Sequence, residues 1–212
     1  FAFGDVNDDG FDDIIYSPYS GIKKIRVLIN PTDNSSNWEE IILTEEARTV
    51  IGVFDINTDG WNDIIYEDVT THINYYKNNS GEFTESVLIY NPTYTLTLFK
   101  TADIDLDGDI DIVGHFNSTG TLFFKNQGDG TVNTTIISSD FYEHQLAVDD
   151  FDGDGYLDVM IRYSASIKIA LFDLLSGEYD TPVGLGSIYA NDYDVADYDN
   201  DGDADILLTK FT

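Results

Sequence analysis

A nine-residue phrase of the form D-x-[DN]-x-D-G-x-x-D occurs five times in this 212-residue chain, opening at Asp5, Asp55, Asp103, Asp150 and Asp197. Successive copies begin 50, 48, 47 and 47 residues apart. A phrase that keeps so steady a period means tandem structural units, each burying its apolar face on the next. The copies place Asp5, Asn7, Asp9, Phe11 and Asp13 at positions 1, 3, 5, 7 and 9 of the first loop, and Asp55, Asn57, Asp59, Trp61 and Asp63 in the second. The third has Asp103, Asp105, Asp107, Asp109 and Asp111, and the fourth Asp150, Asp152, Asp154, Tyr156 and Asp158. The fifth has Asp197, Asp199, Asp201, Asp203 and Asp205, and every copy has Gly at position 6.

A second, weaker motif keeps the same period. Asn30, Asn78 and Asn126, with Asp173 in the fourth copy, each close an apolar run, and a turn and an apolar or aromatic residue (Trp38, Phe83, Val132, Tyr179) follow. The first of these turns, 31–37, is longer and lacks Gly, which accounts for the 50-residue spacing. Between the motifs lie runs of four to six β-branched and aromatic residues, such as 50–54, 63–66 and 134–137, punctuated by Gly, Asn and Asp. No stretch holds an amphipathic helical period over three turns, so the elements read as strands. Four strands per repeat predict an all-β fold, a β-propeller of four-stranded antiparallel blades with an acidic loop between the first and second strand of each. The repeats run at about 1–48, 49–97, 98–144, 145–191 and 192–212. That is four full repeats and half of a fifth, in one domain or a fragment of one. An unpaired half repeat would leave a strand edge that invites pairing, so head-to-tail filament assembly is one expected outcome.

The phrase has the chemistry of a cation loop. Alternate residues of a tight turn point inward, so positions 1, 3 and 5 converge, position 7 can offer its carbonyl, and a carboxylate at position 9 closes the set. All donors are hard oxygens without His or Cys, which favours Ca²⁺ over softer metals. About five Ca²⁺ sites are expected. No Lys or Arg lies inside any loop, so the carboxylates would repel one another without a cation. Loops 1 and 2 carry three carboxylates plus Asn and are expected to bind more weakly than loops 3 to 5, which carry four. The opening resembles an EF-hand, but the closing acid is Asp at position 9 rather than Glu at 12, and it runs directly into a strand.

Phe1-Ala-Phe-Gly-Asp-Val-Asn-Asp-Asp-Gly and its four echoes, with the Asn turns at 78–83 and 126–132, resemble the FG-GAP/VCBS repeats of integrin-α-type calcium-binding β-propellers. The resemblance covers essentially the whole chain. It implies a calcium loop joining the first two strands of each blade, and it leaves activity open, since members include adhesion heads, lectins and non-catalytic modules of polysaccharide-degrading enzymes. Such propellers usually have seven blades. This chain therefore reads as a fragment, as a closed ring of about five blades, or as an open array completed by a neighbouring chain.

Composition narrows the partners. The chain holds 10 Lys+Arg against 40 Asp+Glu, a formal charge of −30, and 31 of the acids are Asp. That field excludes nucleic acid as a simple electrostatic partner. Membrane insertion is not expected, because no apolar run approaches the roughly 18 residues a spanning helix needs. The 42% hydrophobic and 14% aromatic content supports a packed core rather than a disordered acidic tail. Cys is absent, so thiolate chemistry and disulfides are absent too. Phe1 stands first with no basic-plus-apolar leader, which reads as a processed or trimmed piece.

No nucleophile elbow, P-loop, dinucleotide fingerprint or HExxH is present, and His72, His115 and His144 share no phase with the repeats. Enzymatic activity is not expected. The expected role is a non-catalytic module outside the cell or at its surface, for adhesion or for surface or filament assembly. Its partner would be another extracellular or surface protein, or a second copy of itself. The alternative is carbohydrate binding, as a lectin-like propeller or the accessory domain of a polysaccharide-active enzyme. Asn34, Asn78, Asn117 and Asn133 begin glycosylation sequons.

Overall fold

The computed structural model of the chain describes residues 1–33, 37–140, 143–163, 166–187 and 192–209, and Asn34 lies outside them. Among the described residues there is no helix, and so none long and apolar enough to cross a membrane. Among the described residues, each strand pair of known register is antiparallel. The chain forms two compact units, Phe1–Thr95 with Asn126–Val132, and Leu96–Lys125 with Asn133–Thr212.

In the first unit, β1 (Ala2–Gly4), β2 (Asp13–Tyr16), β3 (Lys24–Ile29), β4 (Glu39–Phe54), β5 (Asp63–Asp68), β6 (Ile73–Asn79) and β7 (Glu82–Tyr90) pair in chain order. This is a meander of two four-stranded groups that share β4. The first half of β4 pairs with β3 and the second half, from Ala47 on, with β5. Register shifts at Ala47/Thr49 and Val50/Gly52 mark the passage, as bulges commonly do where a strand changes direction. Its core gathers Val6, Ile15, Ile25, Val27, Leu43, Val50, Ile64, Tyr66 and Tyr76.

The second unit repeats the pattern. β8 (Leu96–Ala102), β9 (Asp111–Phe116), β10 (Gly120–Asn126) and β11 (Val132–Ser138) form one four-stranded sheet. β12 (Glu143–Asp149), β13 (Asp158–Tyr163) and β14 (Ser166–Ala170) form the next; a small hairpin of β15 (Phe172–Asp173) and β16 (Glu178–Tyr179) precedes its fourth strand, β17 (Val183–Ser187). β18 (Asp192–Ala196) and β19 (Asp205–Thr209) pair with each other and pack Tyr193, Val195, Ile206 and Leu208 against Ala147, Met160 and Ile167.

Burial follows strand order. β5, β9 and β13 are buried at nearly every residue, and these second strands are covered on both faces. Their sequences are accordingly continuous apolar runs rather than alternating ones. The fourth strands β7 and β11 are largely exposed.

At the start of β10, Gly120 has φ +105°, and a Cβ there would overlap the Ser138 carbonyl. Gly120→Ala is therefore expected to destabilise the chain by about 3 kcal/mol, from left-handed strain and backbone overlap together. Urea denaturation checks this; an unchanged midpoint would contradict it.

Candidate metal centres

Each acidic phrase joins the first and second strand of its repeat, at β1–β2, β4–β5, β8–β9, β12–β13 and β18–β19. All five wrap the same way, because their side chains bond their own backbone. One oxygen of the position 1 carboxylate accepts the N–H of the position 6 glycine, at 2.7 Å in loops 1 and 2, 3.2 Å in loops 3 and 5, and 2.8 Å in loop 4. The position 5 carboxylate accepts the N–H of position 7 at 2.9–3.3 Å throughout. These bonds hold positions 4 and 6 in the left-handed region, with φ of 51–74° at Asp8, Thr58, Leu106, Gly153 and Asn200 and 87–104° at the position 6 glycines. Only at position 6 does every copy use the residue that adopts this conformation without strain.

The Asp at position 9 is fully buried in loops 1 to 4 and half-buried, as Asp205, in loop 5. Asp13, Asp63 and Asp111 are 0% exposed and Asp158 1%. One oxygen accepts the N–H of position 2, from Val6 at 3.0 Å, Ile104 at 3.1 Å, Phe151 at 2.9 Å and Tyr198 at 3.1 Å. The other accepts a third-strand N–H, from Asn30 at 2.8 Å, Asn78 at 2.7 Å and Phe172 at 2.8 Å. Each such carboxylate thus clips the loop to the strand beyond it.

These bonds correct the second motif in the fourth copy. The counterpart of Asn30 and Asn78 is Phe172, one residue before Asp173. In the first two copies the Asn side chain donates to the position 8 carbonyl, Asn30 to Asp12 at 3.0 Å and Asn78 to Asn62 at 2.9 Å. In the fourth copy the Tyr179 hydroxyl donates to the equivalent carbonyl of Leu157 at 2.9 Å. Phe172 is then free to pack with Tyr156, Phe123 and Tyr179. Asn78 is fully buried, with its amide bound to Val6, Asn62 and Gly81. The folded chain therefore offers no glycan acceptor at Asn78, whereas Asn117 and Asn133 are exposed.

Positions 1, 3 and 9 bring their carboxylates together in three loops: Asp103, Asp105 and Asp111; Asp150, Asp152 and Asp158; Asp197, Asp199 and Asp205. In each group the oxygens lie within 4.8 Å of one another. Loops 1 and 2 have Asn at position 3. There Asn7 donates to Asp9 at 3.0 Å and Asn57 to Asp63 at 2.6 Å, and the amide quiets part of the repulsion. The position 5 residues Asp9, Asp59, Asp107, Asp154 and Asp201 keep one oxygen on the backbone; the other meets the Asn7 amide at Asp9 and a lysine at Asp59 and Asp107. Loop 3 is the most telling: Asp103 Oδ1 and Asp105 Oδ1 are buried and make no hydrogen bond. Buried carboxylate oxygens without donors are costly, and a hard cation would satisfy them.

Burial and crowding also move the titration of these carboxylates. Burial, opposed by the backbone N–H bonds, pushes Asp63 and Asp158 up to about 6 and raises Asp13. A carboxyl near 3.8 when unfolded and about 6 when folded adds stability that is complete below pH 3.8. That contribution is lost as pH rises through 6, so at neutral pH the metal-free fold bears these buried charges as a penalty. In loop 5 the hydrogen bond to Asp201 pushes Asp203 up to about 6, and the charge of Asp201 raises Asp199.

Neighbouring loops within a unit are tied by position 8. Asn62 donates to the Asp5 carbonyl at 2.8 Å, Leu157 N–H to Ile104 at 3.4 Å, and Ala204 N–H to Asp150 at 2.7 Å. The loops thus stand side by side along each unit.

Two basic residues missed from sequence also reach the loops. Lys77 Nζ lies 3.2 Å from Asp59 Oδ2. Lys125 Nζ bonds Asp105 Oδ2 and lies 3.3 Å from Asp107 Oδ2. Both stand directly before the Asn of the second motif, some 18–20 residues from the acids they meet, which is the one signal that could have found them. Of the histidines, His72 sits 3.4 Å from Asp68, His115 is buried on β9, and the His144 side chain lies outside the described residues.

The model of the FG-GAP-like repeat matches the chain in three overlapping windows, residues 55–114, 103–161 and 150–208. The chain belongs to the FG-GAP-like repeat family. Each window opens on position 1 of one loop and runs through the next loop, so the FG-GAP-like period and the observed strand period coincide. No curated protein matches the chain. Among solved structures it is similar to a lectin from Agrocybe aegerita, described in terms of specific recognition of non-reducing terminal N-acetylglucosamine. That match has a TM-score of 0.66 and 20% identity, over 96% of this chain and 58% of the lectin. The chain therefore spans just over half the lectin's length, and the likeness shows a shared fold. A match to the Photorhabdus luminescens Tc holotoxin pore has a TM-score of 0.44 and 15% identity, over 98% of this chain and 11% of that one.

Proposed function

We propose that this FG-GAP-like repeat module is a non-catalytic β-propeller-type scaffold, held in shape by Ca²⁺ outside the cell or at its surface, and that it serves adhesion or surface assembly. The observation that carries this reading is loop 3, where buried oxygens of Asp103 and Asp105 lack donors beside fully buried Asp111. Positions 1, 3, 5 and 9 of each loop would hold the ion, with the position 7 carbonyl of Phe11, Trp61, Asp109, Tyr156 or Asp203 completing the set. A bound Ca²⁺ would supply positive charge where three or four carboxylates crowd. The chain's own part is to hold those oxygens in place through the position 1 and position 9 backbone bonds. Sites of this open, loop-borne kind match the weak affinities of extracellular calcium modules, roughly 10⁻⁴–10⁻³ M, which motivates the extracellular placement. The partner is a surface protein or another copy of the chain.

Carbohydrate binding is the second reading. It is favoured by the shared fold with the lectin and by aromatic side chains exposed on the loops themselves, Phe11 at 47% and Tyr198 at 48%. Calorimetric titration of Ca²⁺ into the metal-stripped chain tests the first reading, with several equivalents of heat expected; a flat titration would sink it. Titration of an N-acetylglucosamine-terminated oligosaccharide into the calcium-loaded chain tests the second, and saturable heat there would make glycan recognition the function.

A further inference from the structure

The third strand of each repeat passes its own loop at a fixed register. Ile14, Ile64, Ile112 and Val159, each directly after position 9, pair with Leu28, Tyr76, Phe124 and Ala170. The next third-strand residue is therefore the same structural slot in four repeats, occupied by Ile29, Lys77, Lys125 and Leu171. In loop 2 this slot puts an ammonium on the position 5 carboxylate, and in loop 3 on those of positions 3 and 5. In loops 1 and 4 it puts a hydrocarbon there.

We propose that Lys77 and Lys125 are tethered counter-ions that compete with a divalent metal, and that they sort the loops into a tight class (1 and 4) and a weak class (2 and 3). The inference rests on the calcium reading of the loops. Loop 3 carries it best: Asp105 is only 7% exposed, one of its oxygens has no partner, and the other holds Lys125. A metal entering there must share Asp105 and Asp107 with a like charge or move the ammonium away. Either way binding weakens, because like charges a few ångströms apart repel strongly near a protein surface. The same ammonium partly cancels carboxylate repulsion in the metal-free chain, at the small entropic penalty of a side chain already anchored nearby. The ranking that results is not the one carboxylate number predicts. By number, loop 1 is weak and loop 3 strong; with the lysines counted, loop 3 falls and loop 1 rises.

Lys77→Met in the full chain tests this, because Trp61 at position 7 of loop 2 gives that loop its own reporter. Indole-sensitised terbium emission should reach half-saturation at about tenfold lower metal or less, since removing one like charge at this range is worth at least that factor. Lys77→Arg keeps the charge and should bind as weakly as the parent. Lys125→Met should tighten one of the weak sites in a calcium calorimetric titration, and both Met variants should melt lower than the parent in EDTA. If Lys77→Met and the parent give superimposable terbium curves, or if Lys77→Arg binds as tightly as Lys77→Met, the lysine inference is wrong while the calcium reading stands. If the parent itself gives neither terbium emission nor calcium heat, both fall.

Discussion

Adding EDTA to the full chain is expected to lower its melting temperature by about 10 °C or more, and millimolar Ca²⁺ to restore it. A ligand that binds only the folded state stabilises it by RT ln(1 + [L]/Kd) at each site. With about five sites of Kd between 10⁻⁴ and 10⁻³ M and calcium at a few millimolar, the total is roughly 3–9 kcal/mol. For a chain of this length each kcal/mol moves the midpoint by about 2–4 °C. The physical source lies in the loops. Positions 1, 3, 5 and 9 hold 18 of the 40 acids, and three of the loops gather their carboxylate oxygens within 4.8 Å. Five divalent ions would take the formal charge from −30 to about −20. A melting curve that ignores EDTA would overturn the calcium reading, whatever the fold.

Much of this architecture was legible because the information is local. The acidic phrase builds its own turn: the position 1 carboxylate needs a glycine N–H five residues on, and the strand residues that follow position 9 are apolar in every copy. Features that depended on packing were not legible. The 16-residue strand β4 reads in sequence as two short strands, because nothing local announces that its halves pair with different neighbours across bulges at Ala47 and Val50. The fourth copy slips by one residue from Asp173 to Phe172, because Tyr179 supplies the hydroxyl that replaces the usual Asn amide. Asp173 is the polar residue the sequence offers at this point, while the bond that defines the slot belongs to a backbone N–H that any residue could supply. Lys77 and Lys125 were hidden for a related reason. The absence of basic residues within nine positions says nothing of a strand that returns past the loop 18–20 residues later.

Position 9 separates scaffold from metal ligand, and Asp158→Ala against Asp154→Ala shows the difference. Asp158 is 1% exposed and accepts backbone N–H bonds from Phe151 at 2.9 Å and Phe172 at 2.8 Å. Truncation leaves the Phe172 N–H buried and the Phe151 N–H half-buried without an acceptor, at about 1–3 kcal/mol each and partly offset at neutral pH by relief of the buried charge, so Asp158→Ala is expected to lose about 2 kcal/mol in EDTA as well as in calcium. Asp154 is exposed and accepts only the Tyr156 N–H at 2.9 Å, so its truncation in EDTA should cost no more than about 0.5 kcal/mol. In calcium both variants should lose the metal contribution of loop 4. Urea denaturation of the two variants with and without calcium gives four differences, and the diagnostic one is Asp158→Ala in EDTA. If that variant matches the parent there, position 9 is a metal ligand alone and the loop-to-strand clip holds nothing. If it is destabilised equally with and without calcium while Asp154→Ala is silent in both, the clip stands and loop 4 binds no metal. A large loss in EDTA that grows further in calcium places both roles on one carboxylate, which explains why loops 1 to 4 each bury a charged residue completely.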